Sequence, residues 1–130
     1  MVPVLLLLIA LQANPSATQI TGTWAGTLAY THDNQKHEDH LHIVLKQDGQ
    51  SLTGTGGPDA DRQYKLSKGK VTVAKGGGTV VTFELNVDST LTSFDLKLVG
   101  GVPATLTGRA TFEGEDGIRH SGTVELKPVK

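Results

Sequence analysis

Apolar residues recur at every second position in segment after segment of this chain beyond Ile20, and they nowhere adopt the three-to-four spacing of a helix. A period of two sends successive side chains to opposite faces of a strand, so the pattern predicts an all-β protein with one face of each strand buried. Eight segments carry it: residues 20–30, 40–47, 51–56, 63–73, 79–87, 91–99, 104–112 and 118–127. The segment 63–73 changes phase, since Tyr64 and Leu66 are even-numbered whereas Val71 and Val73 are odd. One extra residue near Gly69 restores the alternation, which reads as a β-bulge within one strand. The joints are glycine-rich: Asp48-Gly49 is a hairpin signal, and Gly76-Gly77-Gly78 and Gly100-Gly101 separate later strands.

Short connections make neighbouring strands antiparallel, and an even count lets the last strand close against the first, which removes both sheet edges. The expected fold is therefore an eight-stranded antiparallel up-and-down barrel, with an open meander or a two-sheet sandwich as the alternative. Gly22, Gly26, Gly54, Gly108 and Gly122 fall on the inward face, where missing side chains permit the sharp bending that closure needs.

The run from Val4 to Leu11 is apolar throughout, and no charge precedes Asp33. It is shorter than the roughly 20 residues that span a bilayer but fits the core of a signal peptide. Residues 1–17 are expected to form that leader, cleaved after Ala13 or Ala17, with a secreted or periplasmic product; a buried N-terminal strand is the alternative. No Lys or Arg precedes the run, which departs from the usual leader. The remainder, 18–130, reads as one domain. The absence of cysteine excludes disulfides and a lipid anchor on cysteine. A formal net charge of −1 leaves no bulk attraction to nucleic acid or to an anionic membrane.

Gly22-Thr23-Trp24 on the first strand, and Leu52-Thr53-Gly54-Thr55 just past the Asp48-Gly49 turn, resemble the strand motifs of the lipocalin and avidin-like barrels, the calycin group. That resemblance implies a barrel open at one end, with Trp24 and Gly22 as structural residues of the closed end. The chain also departs from the group. Avidin-like proteins cage biotin with several tryptophans, and Trp24 is the sole tryptophan here, so biotin is not expected as a ligand. Lipocalins stack an arginine on that tryptophan, whereas Arg109 falls on an outward face and Arg119 at the wrong end of its strand. The nearest fit is a short exported calycin-like domain of bacteria.

No catalytic constellation is apparent, and the chain is expected not to be an enzyme. A cysteine nucleophile is impossible, and Ser121 beside His120 points to the opposite face of a strand. Glu113, Glu115 and Asp116 sit in a turn as solvated charge, and the glycine runs lack the Lys-Ser/Thr of a phosphate loop. Two candidate sites remain. Tyr30, Tyr64, Phe83 and Phe94 are placed to rim a ligand cavity. His40 and His42 share a strand face and could chelate zinc, with His37 or a loop carboxylate completing the site; a polar loop running into an outward face is the alternative. No other cofactor is implied.

In the expected meander, segments 31–39, 57–62, 88–90 and 113–117 share the open rim and carry mostly acids, while Lys46, Lys75, Lys97 and Lys127 lie toward the other end. Large inward residues on most strands leave little room for a bulky lipid. Two functions follow: a non-enzymatic module that binds a small ligand or cation at the barrel mouth, or a protein-interaction module, such as an inhibitor or accessory domain of a secreted enzyme, acting through its loops.

Overall fold

A computed structural model describes residues 20–100, 103–114 and 117–129. The expected leader with its cleavage sites, and Gly101, Glu115 and Asp116, lie outside these described residues. Eight strands follow one another: β1 (Gly22–His32), β2 (Gln35–Asp48), β3 (Ser51–Gly57), β4 (Tyr64–Val73), β5 (Thr79–Val87), β6 (Thr90–Val99), β7 (Thr105–Glu113) and β8 (Arg119–Pro128). Each pairs with the next, and β8 closes on β1 from Trp24↔Pro128 to Ala29↔Thr123, giving a closed up-and-down barrel with no helix among the described residues. The open meander and the sandwich are thereby ruled out.

The first two strands run further than the alternation marks. Asp33 and Asn34 take positive φ values of 53° and 62°, as in a type I′ turn, and the ladder continues to His32↔Gln35 at the tip. Residues expected to form a loop are therefore a hairpin arm. β3 pairs with β2 only as far as His42↔Gly57, so the arm rises past the neighbouring wall. Asp88 and Ser89, at φ 51° and 71°, make a second tight turn between β5 and β6.

The β4 bulge is where the phase change puts it. Register slips by one residue between Ser67 and Lys70 against β5, and also between Leu52 and Thr55 against β3. Lys68 adopts the left-handed conformation, at φ 52°.

Inside, Ile43, Leu45, Val71, Val81, Leu85, Leu96, Leu106 and Leu126 are fully buried, and Phe83 stacks on Phe94 with ring centroids 4.6 Å apart. The end near the N-terminus is plugged by the entering chain. Ile20 is 1% exposed; its amide donates to Gln47 Oε1 at 2.9 Å, and its carbonyl accepts the Trp24 indole Nε1–H at 2.9 Å. Gln47 is the buried polar residue that makes this seal possible. Its Nε2 donates to the Gly49 carbonyl at 2.9 Å, and its backbone amide donates to Thr21 Oγ1 at 3.0 Å, so its amide groups are partnered away from water. Closure also needs glycine where strands touch. A Cβ at Gly26 would collide with the Glu125 carbonyl oxygen across the β1–β8 seam, and one at Gly54 with the Val44 carbonyl oxygen.

Candidate functional site

Consecutive antiparallel pairing puts the β1–β2, β3–β4, β5–β6 and β7–β8 connections at the end opposite the Trp24 plug. A cavity of about 800 Å³ opens there. Leu28, Leu85 and Phe94 form its floor, Leu41, Val87 and Phe112 its walls, and Asp39, Asp59, Arg62 and Asp88 supply its charged lining. The barrel is filled below this level, so the cavity is a cup at the mouth rather than a channel.

The loop 58–63 is held by one carboxylate. Asp59 Oδ1 accepts the Asp61 and Arg62 amides at 3.0 and 2.9 Å, and Oδ2 accepts Arg62 Nε and Nη2 at 3.1 and 2.8 Å. These bonds favour the ionised carboxylate, and the side-chain bond to Arg62 is the largest reason why Asp59 titrates below its ordinary value. Gln63 ties the same loop to the wall: its Nε2 donates to the His42 and Asp59 carbonyls at 3.0 and 2.7 Å, and its Oε1 accepts the Thr55 hydroxyl at 2.7 Å. Beside this loop on the rim, between neighbouring strands, the Tyr64 hydroxyl donates to Asp88 Oδ1 at 3.1 Å, which raises the phenol's pKa because ionisation would forfeit the bond.

The four aromatic residues expected to line a ligand site separate. Phe94 lines the cavity. Phe83, 2% exposed, lies behind it as a core residue. Tyr64 stands at the rim through its bond to Asp88. Tyr30 belongs to the hairpin arm, stacked on His37 with centroids 5.1 Å apart and edge-on to Phe112 at 5.1 Å. Burial, followed by the charge of Asp39, pushes its phenol pKa up.

The expected zinc grouping is not assembled. His37 pairs with Tyr30 and shares its inner face, while His40 and His42 pair with Thr27 and Ala25 and have outward parity, His40 also bordering the cavity where the arm rises. Because the segment is strand and not loop, a one-residue difference in parity turns His37 and the other two side chains to opposite faces. Among the described residues, no three His, Cys, Asp or Glu side chains are grouped to hold a metal ion. His37 instead meets His32, at 6.3 Å between centroids, and His32 meets His120 at 4.9 Å, with His120 stacked on Phe112 at 5.6 Å.

Phe112, Leu28, Leu85 and Asp39 were not expected in the lining. The first three were expected to point inward, and only the height of the cup shows which inward residues reach its surface. Asp39 was legible in principle: it is odd-numbered like Leu41, Ile43 and Leu45, and it pairs with the inward Leu28. Trp24 is buried in the plug, and Gly22 takes φ 144° where β1 begins. Against known proteins, no family model and no curated protein sequence matches this chain.

Proposed function

We propose that this chain is an exported, non-enzymatic, calycin-like binding module that takes a small ligand into the mouth of its barrel. The observation that carries this reading is the asymmetry of the two ends. One is sealed by Ile20, Trp24 and Gln47, while the other opens into a cup of about 800 Å³ with an apolar floor and a few polar groups above it. Concavity, apolar lining and sparse polar groups are the general marks of a small-molecule site. The cup suits a compact ligand better than a long acyl chain, because Phe83 and Phe94 block the way down.

The test uses Nile red, a neutral apolar dye, with the wild type and a Thr92→Trp variant. Thr92 lines the cup and is half-buried, so an indole there fills it from one wall. Fluorescence enhancement with the wild type, lost in a variant that melts normally, supports the reading. Equal enhancement with both proteins places the dye elsewhere and removes it. Export rests on the apolar run from Val4 to Leu11. N-terminal sequencing of the exported product should begin near Asn14 or Thr18, and recovery of intact Met1 from the cytoplasm would refute it.

One observation favours a second reading, a protein-interaction module. On the side facing β3, residues 35–41 of β2 extend past the last pair His42↔Gly57, so the arm offers a strand edge to which an extended segment of another protein could add.

A further inference from the structure

Resting on the small-ligand reading, we propose that the mouth selects a compact organic cation: an ammonium group on an aromatic or short alkyl body. The cup combines the two elements that recognise such a group, carboxylates and aromatic rings bordering the cavity, over an apolar floor that fits the body.

Its charged lining consists of Asp39, Asp59, Asp88 and Arg62. The single guanidinium is already engaged by Asp59, whose Oδ2 accepts both Arg62 Nε and Nη2, so these two side chains largely neutralise one another. The charge that remains for a ligand belongs to Asp39 and Asp88. They stand on different strands. Asp39 is opposite Leu28 on the β1–β2 wall, and Asp88 is in the β5–β6 turn, where it accepts the Tyr64 hydroxyl and lies within the field of the Asp59-bound Arg62. No lysine lines the cup.

The aromatic element lies below. Phe94 and Phe112 line the same cavity, and Tyr30 packs edge-on against Phe112 while feeling the charge of Asp39. An aromatic face attracts a cation through its quadrupole, and the attraction grows where water is partly excluded. Leu28 and Leu85 then receive the apolar body. An anionic ligand would set its charge against Asp39, Asp59 and Asp88, with one guanidinium, already bound by Asp59, to answer it. A neutral ligand gains only the floor.

Isothermal titration of the full chain with phenylbutylamine, phenylbutanol and phenylbutyrate separates these contributions, since the three share one body and differ in charge. At low ionic strength the amine should bind about tenfold tighter than the alcohol, with the carboxylate weakest, and the preference should shrink in added salt. In an Asp39→Asn, Asp88→Asn double variant the amine should fall to within about twofold of the alcohol, whose own affinity serves as the check that the cup is intact. Alcohol and amine binding equally well to the wild type would overturn the cation proposal and leave the small-ligand reading in place. Binding of none of the three would remove both.

Discussion

The Trp24 indole N–H donates to the Ile20 carbonyl at 2.9 Å, four residues back along the same chain, and thereby folds the entering segment across the lower end of the barrel. With the Gln47 side chain accepting the Ile20 amide, the seal is both apolar and fully hydrogen-bonded. Replacing Trp24 by alanine should cost about 3–5 kcal/mol in a denaturant titration, the usual loss for a large buried aromatic. Gln47→Ala strands the buried Ile20 amide and should cost about 1–3 kcal/mol. A loss below about 1 kcal/mol for Trp24→Ala would mean that the plug does not contribute to stability.

Glycine is required at the barrel seam and dispensable at a loop. Gly26→Ala drives a methyl into the Glu125 carbonyl where β1 meets β8, and should destabilise by about 3 kcal/mol or prevent folding, because both atoms in the clash are backbone-fixed. Gly78, with open space around its would-be Cβ and no positive φ, should accept alanine within about 0.5 kcal/mol. Thermal melts of the two variants side by side make the comparison.

Phe83, behind the cup, should behave differently from Phe112 on its wall. Phe83→Ala opens a void in sealed core and should cost about 3–5 kcal/mol. Phe112→Ala removes a half-buried ring already beside open space, so its loss should be about 1–2 kcal/mol, with Nile red uptake altered more than stability. Urea titration and dye binding on the same samples separate the two effects.

The 58–63 loop should loosen in acid. Asp59 titrates below its ordinary value of about 4 when folded, so the bonds it accepts are fully present above that value and are lost as pH falls through the lowered one. Amide exchange at Arg62, whose N–H donates to Asp59, should then lose protection relative to strand amides, and Asp59→Ala should show the same loss at neutral pH. At the alkaline end the Tyr64–Asp88 bond follows the opposite sign. The phenol's pKa is raised, so the bond holds below its ordinary value of about 10 and is lost as pH rises through the raised one.

What the sequence by itself determined is the barrel. The alternation of Leu41, Ile43 and Leu45, of Val81, Phe83 and Leu85, and of Phe94, Leu96 and Leu98 sets strand type and inner face, because a core must be apolar and a strand has only two faces. Even the bulge in β4 was legible, since Val71 can reach the core beside Leu66 only if one residue is left over between them. What only the tertiary structure decided lies at the mouth. The β1–β2 arm rises past β3, so His37, Glu38, Asp39 and His40 lack the burial that writes alternation into sequence, and they read as loop. That masked the parity that sends His37 and Asp39 inward and His40 and His42 outward. Likewise Phe83 and Phe94 look equivalent in the sequence. They pair directly across β5 and β6 and both are buried, yet only Phe94 borders the cup, because the neighbours that close the ring around each side chain decide which of them meets the opening, and no single segment encodes those neighbours.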